Sequence, residues 1–324
     1  MAVVAGAGAG AAGAGAGAVE LLAALAAPAV GEEVKEPGLT EGVEEVTEPQ
    51  TAVEEPQAGR PVGLGVTSYL LSDYIFRGIN FSEYEREGRE KPNHQLVTTM
   101  GVPLGEGGKY GTVGFDTFFE WYADQEKINP TTSDNTQEID YTIWWSYDLE
   151  RIATTATLGW TMFVFPNVQG VGDNDRTHEW FVRLEHNDAW MWRSVGYEGE
   201  DGILNPSFFL AHDMQLARGA WMEFGINHPF ALTDDLVLTP SAIFAIDGSY
   251  LGPLLGTDDH DFRYAYTQLG LDLTYDMTSL LHLPEWAGTV AISGMLFYTC
   301  PTESAEHTGL EDQFWGGMAL SWAW

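Results

Sequence analysis

Alternation with a period of two residues constrains the fold of this chain more than any other feature of its sequence. It is clearest in residues 314–324, where the even positions are mostly large and apolar and the odd positions from Gly317 onward are small. Alternate side chains of a β-strand point to opposite faces. No charge interrupts this segment, which is typical of a strand with lipid on one face and a barrel interior on the other. A buried strand of a soluble protein shares the pattern, so the remaining segments decide between the two.

Similar segments recur through the chain and predict twelve strands. The predicted strands are 63–80, 94–104, 110–123, 138–150, 152–165, 177–188, 204–213, 219–230, 236–247, 262–276, 287–299 and 313–324. The connections between them alternate between long polar loops, such as 124–137, and short turns, such as 105–109. This alternation is the asymmetry of an outer-membrane barrel, although the long connection 189–203 and the short connection 214–218 depart from it.

The predicted fold class is therefore an all-β, closed, antiparallel transmembrane β-barrel of about 12 strands, located in a bacterial outer membrane. After residue 30 the sequence contains no run of about eighteen apolar residues, which excludes transmembrane helices from the body of the protein. A soluble two-sheet sandwich is the alternative. It requires charged outward faces, whereas the apolar faces of the predicted strands are continuous.

The N-terminal part of the chain differs in composition from the barrel predicted over residues 62–324. Residues 1–30 consist almost entirely of Ala, Gly, Val and Leu, and we interpret them as a signal segment. They lack the basic residues of a typical signal, so a low-complexity tail is the alternative. Residues 31–61 are rich in Glu and Pro without an aromatic residue, which predicts a disordered acidic linker.

One short motif adds a resemblance to these patterns. Residues 72–79 read Ser-Asp-Tyr-Ile-Phe-Arg-Gly-Ile. This motif resembles the SDYxFRG first-strand motif of a family of bacterial outer-membrane β-barrel proteins. The resemblance implies an exported barrel over residues 63–324, with the motif in the opening strand, and it implies no particular activity.

The charge of the chain limits its function. The net charge of -34 makes nucleic-acid binding improbable, and the single cysteine, Cys300, excludes a disulfide framework. When the polar face of each strand is assigned to the lumen, acids outnumber bases there. The charged residues predicted to line the pore are Asp73, Arg77, Asp116, Glu120, Asp140, Glu179, Arg183, Glu185, Glu223 and Asp272.

An acidic lumen predicts a narrow passive channel for small solutes, with cationic solutes favoured. Arg77 and Arg183 have two open roles, as bridges between neighbouring strands or as parts of a constriction. Four large aromatic residues are predicted to point inward and narrow the lumen, so a closed barrel is a second interpretation. They are Phe118, Trp144, Phe163 and Trp221.

Three further interpretations stay open. A plugged structural barrel would act through its acidic external loops. A barrel hydrolase, like the outer-membrane phospholipase, needs a Ser-His pair, but no nucleophile motif accompanies the candidate residues, so we predict no enzyme activity. The candidates are His178, His186, His212, His228, Ser207 and Ser241. Loop acids could hold calcium, although a solvated loop is the simpler interpretation, and they include Asp258, Asp259 and Asp261.

The expected partners follow from the fold. They are outer-membrane lipid, small solutes and the barrel-assembly machinery. By resemblance to other outer-membrane barrels, this machinery would recognise the C-terminal strand that ends in Trp324.

Overall fold

The computed structural model describes residues 62–80, 92–122, 136–166, 176–197, 199, 202–254, 261–302 and 311–324. The predicted signal segment 1–30 and acidic linker 31–61 lie outside these residues. So do Asp258 and Asp259 of the predicted calcium loop.

The described residues form fifteen strands. In chain order they are β1 (Gly63–Leu71), β2 (Ile75–Phe76), β3 (Ile79–Asn80), β4 (Asn93–Pro103), β5 (Thr112–Tyr122), β6 (Thr136–Leu149), β7 (Thr154–Val164), β8 (Arg176–His186), β9 (Ser207–Asp213), β10 (Ala220–Asn227), β11 (Phe230–Thr233), β12 (Leu236–Gly248), β13 (Phe262–Asp276), β14 (Thr289–Pro301) and β15 (Gln313–Ala323).

Twelve of these strands close into one antiparallel ring. The ring order is β1, β4, β5, β6, β7, β8, β9, β10, β12, β13, β14 and β15, and pairing of β15 with β1 closes it. The prediction of a closed barrel of about twelve strands is confirmed. The remaining strands are short: β2 pairs with β3, and β11 pairs with the start of β12. The predicted strand 219–230 therefore ends earlier, at Asn227.

The two faces of the ring have opposite character. Outward positions carry exposed large apolar side chains, including Leu70, Phe115, Ile143, Leu158, Phe224, Phe244, Leu271, Leu296, Met318 and Leu320. A closed ring pairs the backbone groups of every strand, and an apolar outer surface is compatible only with lipid. The chain is therefore an outer-membrane-type β-barrel that is embedded in a membrane. Among the described residues, the helices are all too short or too polar to span a bilayer.

The last strand, β15, carries small side chains on its inner face from Gly317 onward. Met318, Leu320 and Trp322 face outward, whereas Ala319 and Ser321 are buried inside, as the alternation in 314–324 predicts. At the seam, a Cβ on Gly317 would overlap the backbone oxygen of Leu70 on β1. The close approach of the first and last strands therefore requires glycine at this position.

The connections define two ends of the barrel. The end that carries the longer segments 72–92, 123–135 and 249–261 is called the outer end. The other end holds the barrel termini and compact turns such as Glu150–Ile152. A 3-10 turn, Glu285–Ala287, precedes β14 at this end.

One long connection, 187–206, lies at the compact end, as predicted, and is organised around Asp188. The Asp188 carboxylate accepts hydrogen bonds from the indole of Trp192 at 2.6 Å and from the backbone nitrogens of Ile203 at 2.7 Å and Asn205 at 3.2 Å. Burial opposes ionisation of this carboxyl, but the hydrogen bonds from Trp192 and residues 203–205 lower its pKa below the usual value.

The predicted first strand 63–80 is wrong at its outer end. Strand β1 stops at Leu71, and the chain then turns into the barrel interior. Residues 73–80, called the inward hairpin, contain β2 and β3 and are all buried. Arg77 and Gly78 form the turn with positive φ values of 48° and 83°. A straight strand cannot contain two consecutive left-handed residues, so the SDYxFRG motif lies in this hairpin and not in the opening strand.

Candidate functional site

The turn of the inward hairpin places Arg77 against the far wall of the barrel. Its two terminal nitrogens donate to Glu179 on β8, from Nη1 to Oε2 at 2.9 Å and from Nη2 to Oε1 at 2.8 Å. Both side chains are fully buried. Strand β8 lies five positions around the ring from β1. The prediction that Arg77 bridges neighbouring strands is therefore wrong, because this ion pair crosses the lumen.

Aromatic rings enclose the Arg77 guanidinium. Its central carbon lies 4.1 Å from the ring centroid of Tyr250, 4.8 Å from that of Phe76 and 5.5 Å from that of Trp221. The Tyr250 hydroxyl also donates to Glu179 at 3.2 Å. A bidentate ion pair with cation–π contacts is a strong and directional arrangement for a buried charge. We call Arg77, Glu179, Phe76, Trp221 and Tyr250 the hairpin clamp.

A second carboxylate borders the hairpin clamp. Glu223 on β10 accepts a hydrogen bond from the indole of Trp221 at 2.6 Å and a longer one from the hydroxyl of Tyr266 at 3.4 Å. Arg183 packs over the rings of Phe181 and Phe209, at 5.6 and 5.4 Å, and lies within electrostatic reach of Glu223. This side of the lumen therefore combines acids with arginines.

Further round the ring, beyond β7, strands β5 and β6 carry a group of buried acids. Glu120 and Glu138 are cross-strand neighbours, and Asp140 follows two residues later on the same face of β6. The hairpin residue Tyr74 donates its hydroxyl to Glu138 at 2.6 Å, and Asn93 donates its amide to Glu120. The hairpin is thus anchored at two places on the wall, through Arg77 at β8 and through Tyr74 at β6.

The remaining predicted pore residues also point inward. Asp73 accepts the amide of Asn80 at 2.9 Å within the hairpin, and Asp116 accepts the indole of Trp144 at 2.8 Å. Asp272 is buried on β13. Glu185 is half-buried near the compact end. Among the described residues, twelve acids but only three arginines are buried, so the interior is acidic on balance.

One buried ion pair was missed by sequence reasoning. Arg263 Nε donates to Asp247 Oδ2 at 3.2 Å. Strict alternation from Asp272 places Arg263 on the outer face. A β-bulge at Ala265, which leaves both Ala265 and Tyr266 buried, shifts the alternation by one residue. No sequence signal that we recognised marks this bulge.

Aromatic side chains fill much of the interior. The four aromatic residues predicted to point inward, Phe118, Trp144, Phe163 and Trp221, are all buried. With the apolar residues of the inward hairpin, three of these four belong to one continuous hydrophobic cluster, which also contains Tyr69, Leu71, Phe297 and Trp315. The hairpin enters from the outer end, and its buried residues occupy the outer half of the lumen.

Four of the six hydrolase candidates lie on opposite faces of the wall. Ser207 and Ser241 are at inward positions, whereas His178 and His212 face outward and contact Trp160 and Trp180. A nucleophile and its base must be within hydrogen-bond reach, so these residues form no catalytic pair.

A different Ser-His contact, between Ser68 Oγ and His94 Nε2 at 2.8 Å, occurs on the outward face of β1 and β4. It pairs two polar groups beside lipid. No group of three or more His, Cys, Asp or Glu residues within the described ranges is arranged to hold a metal ion.

Known proteins that match this chain are found among solved structures. No family model matches the sequence, and the curated proteins contain no match. Among solved structures, an outer-membrane channel from Pseudomonas putida F1 is similar, with a TM-score of 0.44 and 9% identity over 82% of this chain and 96% of that chain.

The NanC porin is similar with a TM-score of 0.40 and 9% identity, over 80% of this chain and 98% of that chain. The KdgM porin gives a TM-score of 0.39 and 8% identity over the same shares. At this level of identity and overlap these similarities carry no argument about activity, and the functional case rests on the geometry of the interior.

Proposed function

We propose that this protein is a narrow passive channel for small solutes, with a preference for cations, and that the inward hairpin gates it. The observation that carries the proposal is the excess of buried acids on the inner wall. Rings and clusters of carboxylates lower the energy of a cation in a pore and raise that of an anion. A wall that served packing alone would not require so many buried carboxylates.

The hairpin supports a gated channel more than an open one. It fills the outer half of the lumen, and specific polar contacts hold it there, including Arg77 to Glu179 and Tyr74 to Glu138. It is attached to the ring through residues 72–73 and through the segment that leads to β4, so movement of the hairpin leaves the ring intact. The described arrangement corresponds to the closed state of such a channel.

Single-channel recording in planar bilayers tests this function. We expect the wild-type barrel to give infrequent, cation-selective openings. Arg77→Met removes the ion pair that holds the hairpin, so we expect a several-fold higher open probability with the same sign of selectivity. Arg151→Met, in an exposed turn at the compact end, is the control and should behave like the wild type.

Two outcomes would contradict the proposal. An anion-selective current would exclude the role of the acidic wall. No current from either the wild type or Arg77→Met, in preparations shown by gel mobility to be folded, would favour the second candidate function. That candidate is a plugged structural barrel that acts through its external loops, and the buried hairpin is the observation that favours it.

We also infer that the barrel-assembly machinery recognises β15. The apolar outward face of this strand supports this inference. The indole of Trp324 donates to the backbone oxygen of Trp286 at 2.7 Å, so the assembled barrel holds the end of the chain against its compact rim.

A further inference from the structure

Asp272 stands apart from the other buried acids. It points inward from β13, and its side chain is 1% exposed. Neither of its carboxylate oxygens has a hydrogen-bond partner among the residues that the structure describes. Thr239, its cross-strand neighbour on β12, is also buried, and its hydroxyl likewise has no partner there. An isolated ionised carboxylate is costly to bury, so Asp272 is either a neutral acid or an ionised one whose charge is compensated by a group outside the described chain.

The residues around Asp272 do not provide that compensation. Met295, its neighbour on β14, offers only a thioether, which has no proton to donate. Thr274 and Ser293, the next inward pair toward the compact end, are hydrogen-bonded to each other at 2.6 Å.

Toward the outer end, the next inward residue of β13 is Gly270, opposite Ser241. A Cβ at Gly270 would overlap the Ser241 hydroxyl, so this oxygen fills the position above Asp272. One carboxylate and two hydroxyls are therefore grouped at two adjacent cross-strand positions.

We propose that Asp272, Thr239 and Ser241 form a binding site for a small monovalent cation in the lumen wall. Side chains at facing cross-strand positions have Cβ atoms roughly 5 Å apart, so one ion can contact oxygens of both strands. All the ligands are hard oxygens, and the single carboxylate matches a single positive charge. Calcium and magnesium sites in proteins use more oxygen ligands and commonly more than one carboxylate.

The assignment of this site to the path of the permeating ion rests on the proposed channel function, whereas the binding site itself does not. One carboxylate with two hydroxyls provides weak and reversible binding. Conduction requires such sites, because an ion that binds too tightly does not leave.

Thermal unfolding of the full-length barrel in detergent micelles tests the site independently of conduction. We expect sodium or potassium chloride to raise the unfolding temperature above that in N-methylglucamine chloride at equal ionic strength. Asp272→Asn should abolish this difference.

The matched control is Asp276→Asn on the same face of β13. The Asp276 carboxylate already accepts the backbone nitrogen of Thr278 at 2.7 Å, so this variant should keep the full difference. An undiminished difference in Asp272→Asn would overturn the proposal. The proposal would also be overturned if the wild type showed no difference in unfolding temperature between the salts and its infrared spectrum contained a protonated-carboxyl band that Asp272→Asn removes. Asp272 would then be a neutral acid.

Reversal potentials then place the site on the conduction path or away from it. A cation-selective wild type whose selectivity falls in Asp272→Asn but not in Asp276→Asn supports both proposals. If selectivity is unchanged in Asp272→Asn, the channel stands and the site is not on its path. If the wild type gives no current while its unfolding temperature depends on sodium, the channel fails and the binding site stands.

Discussion

Glu179 and Asp272 are both buried carboxylates that face the same barrel interior, yet their surroundings are opposite. Glu179 receives two hydrogen bonds from Arg77 and one from Tyr250. Asp272 receives none from any described residue. The difference arises because the inward hairpin reaches the β8 wall with a cation and provides none for Asp272 on β13. Acids on one polar face of a barrel therefore cannot be assigned one role from their charge alone. Glu179, which the hairpin contacts, holds the hairpin in place, whereas Asp272, whose two oxygens have no partner among the described residues, is available to a solute.

The largest loss of stability is expected from breaking the ion pair between Arg77 and Glu179. Glu179→Gln leaves the Arg77 charge buried without its carboxylate, and the loss of one partner of a buried pair costs about 3–5 kcal/mol. Urea unfolding of the barrel in lipid vesicles, followed by tryptophan fluorescence, measures this loss. Glu150→Gln in an exposed turn is the control. A loss no larger than that of the control would mean that the clamp does not stabilise the fold.

An intermediate effect is expected at Asp188, a second compensated carboxylate that lies in a connection outside the strands. Asp188→Ala removes the acceptor of several N–H groups and should cost about 1–3 kcal/mol. Because the folded-state pKa of Asp188 is lowered, its stabilisation is complete above the ordinary Asp pKa of about 4 and is lost as pH falls through the lowered value.

Unfolding midpoints measured from pH 6 down to about pH 2 test this pH dependence. The wild type should lose more stability over this range than Asp188→Asn, which keeps an acceptor but has no titrating proton. Equal losses in the two proteins would show that Asp188 does not contribute to the acid sensitivity of the barrel.

The smallest change in stability, a gain instead of a loss, is expected at Asp272. In N-methylglucamine chloride, where no small cation except the proton is present, Asp272→Asn should stabilise the barrel by about 1 kcal/mol, because it removes an unpaired buried charge. The same urea unfolding assay measures this gain. Clear destabilisation by the substitution would show that Asp272 has a partner within the chain, and the contrast with Glu179 would then disappear.

The alternation in the sequence predicted the ring and the orientation of most strands because lipid imposes the same requirement at every outward position. Met318 and Leu320 could be placed outward without any knowledge of their neighbours. The inward hairpin could not be predicted in this way. Tyr74, Phe76 and Arg77 are compatible with a strand, and only the positive φ of Arg77 and Gly78 reveals the turn.

The partners of the inward side chains were less predictable than the face of the strand on which each side chain lies. Asp116, Glu120 and Glu223 point inward as their positions in the alternation indicate, but Asp116 and Glu120 receive their hydrogen bonds from Trp144 and Asn93 on other strands. Arg77 and Glu179 are separated by 102 residues. At Arg263 the β-bulge changes the face itself, and pattern reasoning has no access to such a local irregularity.

The inward hairpin has a consequence for the order in which this barrel is built. It is continuous with β1, the strand that pairs with β15 at the closing seam. Every strand between them, including β8 with Glu179, precedes β15 in the chain, so the Arg77 contact can form while the ring is still open. A ring that closes with the hairpin outside lacks the ion pair between Arg77 and Glu179. The ion pair therefore stabilises a ring that closes with the hairpin inside relative to a ring that closes with the hairpin outside.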